Sequence, residues 1–103
     1  MQIINKDAYG GKLYVNFGRD ISAATTLTLK LQPEVGADIG VTPTLETSDA
    51  WVGDEQFDAN QFVSYTITDG MFDNYVGRYR AKATATVGST VYSTEYKLFE
   101  VTA

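Results

Sequence analysis

The sequence predicts an all-β protein, an antiparallel β-sandwich of about seven strands forming one domain over residues 1–103. Three observations carry this. Apolar and polar residues alternate with a period of two along most of the chain. The alternating runs are rich in Thr, Val, Tyr and Phe, which favour extended backbone. Gly, Pro and Asp clusters punctuate the runs where turns are needed. An apolar face opposed to a polar one is the pattern of an antiparallel sheet that is wet on one side.

A short first strand over Gln2 to Asn5 ends at the Gly10-Gly11 turn. In the second, Leu13, Val15 and Phe17 share a face. The third runs from Thr25 to Gln32, with Leu27, Leu29 and Leu31 facing one way and Thr26, Thr28 and Lys30 the other. Ile21 to Thr25 before it could form a single helical turn, too short to stand alone. Pro33 to Gly40 reads as a loop. Val41 to Thr47 follows as a strand that Pro43 confines to an edge. Ser48 to Gln61 shows no alternation. In Phe62 to Thr68, Phe62, Ser64, Thr66 and Thr68 oppose Val63, Tyr65 and Ile67. Asp69-Gly70 then reads as a compact hairpin turn. In Arg78 to Val87, Tyr79, Ala81, Ala83, Ala85 and Val87 oppose Arg78, Arg80, Lys82, Thr84 and Thr86. Gly88-Ser89 turns the chain into a last strand from Tyr92 to Thr102. The expected core includes Leu13, Val15, Leu27, Leu29, Leu31, Tyr79, Ala81, Ala83 and Phe99.

Composition narrows the function. With 44% apolar residues, the 103-residue chain can build one real core. There is no Cys, so disulfides, thiolate zinc sites and cysteine nucleophiles drop out. There is no His, so the commonest general base and metal ligand is missing. Two carboxylates in a cleft would suffice for glycosidase chemistry, but they cluster in turns and in the long link. No cofactor, metal or catalytic residue is expected. A net charge of −5 argues against nucleic acid as a partner. The first residues lack the apolar run of an export signal, and no window is apolar enough for a membrane helix. The chain therefore reads as a complete small protein, made in a cytoplasm and not bound to a membrane.

Asp73-Asn74-Tyr75-Val76-Gly77-Arg78-Tyr79-Arg80-Ala81 resembles the Asp-x-Gly-x-Tyr stretch at the start of strand F in immunoglobulin-type domains. The resemblance implies a tyrosine corner, with Gly77 permitting a close approach and the Tyr79 hydroxyl bonding back to the backbone. Ala81 stands where antibody domains place a Cys. Here the Asp lies four residues before the Gly instead of two, and no strand-C Trp accompanies it. The implied fold is an immunoglobulin-like sandwich without the disulfide.

The wider layout resembles small virion proteins of tailed bacteriophages, including the N-terminal domain family of baseplate upper proteins. The matching features are Lys12 to Phe17, then Gly18-Arg19-Asp20-Ile21-Ser22-Ala23-Ala24-Thr25, Gln32-Pro33-Glu34-Val35-Gly36, Gly77-Arg78-Tyr79 and the closing Phe99-Glu100-Val101. Only Ser48 to Gln61 is unmatched. The resemblance implies a non-enzymatic structural component of the virion: a capsid decoration, neck, tail or baseplate module. Its partners would be other virion proteins, such as the major capsid, neck or tail protein, or further copies of itself. It would be made in the host cytoplasm and end in the virion. In isolation the chain is expected to fold as a monomer.

Two groups of residues stand out as partner-binding candidates. Trp51 and Phe57 lie among the acids Asp49, Asp54, Glu55 and Asp58, and aromatic anchors dominate binding hot spots. A calcium site or a solvated loop folding Trp51 over one end of the sandwich are the alternatives there. Arg78, Arg80 and Lys82 alternate and so share one sheet face, where they would meet an acidic partner or simply pair with a cross-strand acid such as Glu95. A second functional reading is a carbohydrate- or cell-surface-binding module, using Trp51 and an exposed strip of Tyr14, Tyr92 and Tyr96.

Overall fold

The computed structural model describes residues 2–7 and 9–103. The fold is all-β, and no helix occurs among the described residues. Among the described residues eleven strands run in chain order: β1 (Gln2–Asn5), β2 (Lys12–Asn16), β3 (Thr26–Pro33), β4 (Ile39–Val41), β5 (Thr44–Leu45), β6 (Ala50–Val52), β7 (Glu55–Phe57), β8 (Phe62–Thr66), β9 (Gly77–Val87), β10 (Thr90–Ser93) and β11 (Lys97–Thr102). The large sheet has the order β1-β11-β9-β3-β4, with β10 also paired to β9. The small sheet has the order β2-β8-β5, and β6-β7 is a separate hairpin.

Both sheets contribute to one core. Leu13 and Val15 on β2 and Val63 on β8 meet Leu29 and Leu31 on β3, Tyr79, Ala81, Ala83 and Ala85 on β9, and Phe99 and Val101 on β11. The three small alanines on β9 leave room for the leucines of β3 and the aromatic rings beside them. Every residue of the expected core is buried or packed against this cluster, Leu27 being partly buried.

The expected count of seven strands is low for physical reasons. Val41 to Thr47 is not one edge strand. Val41 pairs with Leu29 in the large sheet, whereas Thr44 and Leu45 pair with β8 in the small one. The chain changes sheets at Thr42-Pro43, where Pro43 has no amide to continue a ladder. The last strand is likewise two. Ser93 pairs with Thr84, but Lys97 pairs with Ala81, so the register slips by one residue between them. Thr94 holds the join, its amide donating to the Ala83 carbonyl and its hydroxyl accepting from the Ala83 amide, each at 3.0 Å. Glu95 and Tyr96 then oppose Lys82 alone, which is a β-bulge.

Two further expectations need correction. Asp69-Gly70 is not a hairpin turn, because β8 and β9 belong to different sheets. The chain crosses there in a loop that drives Phe72 into the core beside Tyr79 and Phe99, with ring centroids 5.3 and 6.1 Å away. The sandwich is also not wholly antiparallel: β1 pairs parallel to β11, Gln2 against Phe99 through Asn5 against Thr102. Gly88-Ser89, in contrast, is the expected two-residue hairpin, with Gly88 at φ 62° and Val87 paired to Thr90.

Ser48 to Gln61, without alternation in sequence, folds as the β6-β7 hairpin over the outside of the small sheet. Phe57 packs edge-on against Phe62 at 5.5 Å, and Tyr14 lies 6.0 Å from Phe62 on the other side. Phe62, Val63 and Ser64 on β8 are therefore all buried, although they alternate between faces. The buried Ser64 hydroxyl donates to Glu46, which also pairs with Lys12 at 3.5 Å.

Candidate functional site

Gly77 and Tyr79 sit where β9 begins. The Tyr79 hydroxyl donates to the Tyr75 carbonyl at 2.7 Å, the backward bond expected of it. Its ring stacks on Phe99 at 5.2 Å. Burial pushes the Tyr79 phenol above the ordinary tyrosine range, and Tyr75 adds to the shift. Gly77 adopts φ 143°, and a Cβ there would lie 2.7 Å from the Tyr75 hydroxyl oxygen. This corner fixes the exit of the loop from Ile67 to Val76 and so sets which residues of β9 face outward.

Those outward residues build a cationic face on the large sheet. Arg78, Arg80 and Lys82 do share it, as the alternation implies, and the pairing of β3 with β9 adds Lys30 directly opposite Lys82. Like charges directly opposite one another are destabilising. Lys30 has Asp38 at 3.8 Å. Arg78 faces Glu100 across the ladder, and Arg80 faces Leu98 and Gln32, donating to the Gln32 side chain at 2.6 Å. Among the described residues no carboxylate lies within 4.0 Å of Arg78, Arg80 or Lys82. Glu95, the cross-strand acid anticipated for them, lies in the bulge and does not pair with them. The bulge instead turns Tyr96 onto this face, where the Arg80 guanidinium and the Lys82 ammonium lie 4.3 and 5.1 Å from its ring. Leu98 and Ile3 stand exposed beside them, at 51% and 64%. Gln32, Glu34, Arg78, Arg80 and Leu98 surround an open hollow of about 380 Å³ above Pro33. Lys30 and Leu98 escaped sequence reasoning, because their place beside Arg80 and Lys82 depends on strand order.

The second group divides. Val52 pairs with Glu55 and Trp51 with Gln56, so the two-residue turn Gly53-Asp54 forms the tip of the hairpin. Trp51 points outward and is 68% exposed. Phe57, on the opposite face, is 5% exposed and fills the space over Phe62, so it is no partner anchor. Asp49 is occupied in closing the hairpin, accepting from the Ala59 amide at 2.7 Å. Asp54, Glu55 and Asp58 are exposed. Among the described residues no group of three or more acids is placed to hold a metal. The expected tyrosine strip is not one surface. Tyr14 lies on the small sheet beside Phe62, Tyr96 on the large sheet, and Tyr92 under Arg19 at 4.5 Å.

Lys97, also absent from the sequence reading, closes the free edge of β2. Its ammonium donates to the Tyr14 carbonyl at 2.6 Å and to the Gln2 side chain at 3.4 Å, and it lies 5.9 Å from the Phe57 ring. Gln2 in turn donates to the Lys12 carbonyl at 3.1 Å. Burial holds Lys97 below the ordinary lysine range, while nearby Glu55 opposes the shift. These two side chains occupy outward carbonyls that another strand would otherwise use.

No helix is long and apolar enough to cross a membrane among the described residues. No family model matches the chain, and neither the curated proteins nor the solved structures give a match.

Proposed function

We propose that this chain is a non-enzymatic structural component of a tailed-phage virion, an immunoglobulin-like sandwich that docks on other virion proteins in symmetric copies. The observation that carries the reading is the outer face of the large sheet. It presents Arg80 and Lys82, with no carboxylate within 4.0 Å among the described residues, around Tyr96 and next to exposed Leu98 and Ile3, with Arg78 opposite Glu100 on the same face. Such a face combines aromatic and arginine anchors with charges left available for a partner. The immunoglobulin-like part is supported by the parallel β1-β11 pair, the facing of β2-β8-β5 on the larger sheet, and the Tyr79–Tyr75 bond.

The test is imaging of the particle with which the chain co-purifies. Ordered density at symmetric positions, with Arg80 and Lys82 buried against another virion protein, is the expected result. A chain found only free in solution would remove the reading. Glycan binding is the runner-up, because Trp51 offers an exposed ring for a sugar to stack on. Retention on a glycan array that Trp51→Ala abolishes would favour it.

A further inference from the structure

Charge is segregated along the chain. From Leu31 to Gly77 there is no Lys or Arg at all, while this span holds nine of the thirteen acids. It supplies β5, β8 and the β6-β7 hairpin on the small-sheet side, where Glu46, Asp49, Asp54, Glu55 and Asp58 lie, while Glu34 and Asp38 of the same span lie beside the large sheet. The outer face of the large sheet holds Lys30, Arg78, Arg80 and Lys82, half of the eight basic residues, with Asp38 beside Lys30 and Glu100 opposite Arg78. The one basic residue on the small sheet, Lys12, is tied to Glu46. The acidic side also carries Trp51, exposed beside Asp54 and Asp58.

We infer that these two surfaces recognise each other between copies of this chain. The β6-β7 hairpin of one copy docks on the cationic face of the next, with Trp51 entering beside Tyr96 and Leu98 and with Asp54 and Asp58 meeting Arg80 and Lys82. The inference rests on the reading of the protein as an assembly module and names one of its partners. Trp51 sits on the face of the hairpin turned away from the side that Phe57 buries, so its ring is left free to meet a second copy. Repeated in one direction, such a contact gives a ring if the rotation closes and a filament if it does not, and made reciprocally by two copies it gives a two-fold dimer. A single contact is weak, and copies brought close on a particle act at a high effective concentration.

Sedimentation equilibrium of the whole chain tests this. At about 0.05 M salt the weight-average mass should climb with protein concentration, and at about 0.5 M it should fall back, since exposed charge pairs are then screened. The low-concentration limit is the 11.3 kDa monomer. The double variants Arg80→Glu/Lys82→Glu and Asp54→Lys/Asp58→Lys should each remain monomeric at low salt, with unchanged thermal unfolding. Mixed in equal amounts, they should associate again, because each restores a complementary contact to the other. A monomer at every concentration in low salt overturns the inference. So does association that survives both double variants. Particle imaging is independent: copies that sit separately on a virion would remove self-docking and leave the proposed function standing.

Discussion

Replacing Tyr79 by Phe removes one oxygen and leaves the aromatic cluster in place. The ring still stacks on Phe99 at 5.2 Å and meets Phe72 at 5.3 Å. What disappears is the 2.7 Å bond to the Tyr75 carbonyl. A hydrogen bond of this kind contributes about 0.5–1.5 kcal/mol net, and a carbonyl left without its partner adds to the loss. The expected destabilisation is about 1–2 kcal/mol. For 103 residues at an unfolding entropy of about 2.1 cal/mol/K per residue, that is a fall in Tm of about 5–9 °C. Thermal unfolding followed by circular dichroism measures it, with a urea titration at constant slope as the control for an unchanged fold. The variant should also alter the alkaline limb. The folded-state pKa of Tyr79 is raised, so its contribution is fully present below the unfolded tyrosine value of about 10 and is lost as pH rises through the folded value. Wild type should therefore lose more stability above pH about 10 than the variant does. A Tm shift below about 2 °C would refute the reasoning, since water would then be replacing the hydroxyl at no cost.

The other predictions concern the hairpin, the crossing loop and the β2 edge. Phe57→Ala should cost about 3 kcal/mol or more in urea unfolding, whereas Trp51→Ala should stay within about 0.5 kcal/mol, and equal effects would contradict the placement of the two rings. Phe72→Ala should cost about 3–5 kcal/mol, read from the same titration, because the buried ring packs edge-on against both Tyr79 and Phe99. Lys97→Met should leave a folded chain that aggregates more readily on light scattering, since the Tyr14 carbonyl loses its cover. The depressed pKa of Lys97 means that its charge opposes folding near neutrality and that this penalty fades as pH rises through the folded value toward about 10.4. Wild type should thus gain on Lys97→Met across that window, and a gap that is flat with pH would count against the burial of the ammonium.

Sequence patterning reveals an element best when one face alone is buried. The β9 run shows this: Ala81, Ala83 and Ala85 are inside and Arg80 and Lys82 outside, so a period of two records the burial directly. On β8 the same alternation misleads, because Phe62 and Ser64 are covered by a hairpin that the pattern of β8 cannot announce. The hairpin itself was illegible because strands of three residues are too short to show a period. Turn chemistry identified Gly88-Ser89 correctly, but at Asp69-Gly70 it could not say which sheet the next strand would enter. The site was half legible for the same reason. Arg78, Arg80 and Lys82 follow from one strand, whereas Lys30, Leu98 and Tyr96 join them only through pairing partners and a bulge. Trp51 and Phe57 have similar chemistry in sequence, and only the register of β6 against β7 separates the outward ring from the inward one.

The parallel pairing of β1 with β11 governs how the molecule answers tension. Both strands point the same way, with Gln2 beside Phe99 and Asn5 beside Thr102. Force applied at the leading end of β1 and the trailing end of β11 drives the two strands past each other along their length. The bonds between them are then loaded in shear and must yield together, whereas an antiparallel hairpin pulled from its open ends would unzip one bond at a time. Load applied between these two strand ends therefore meets a seam that cannot unzip.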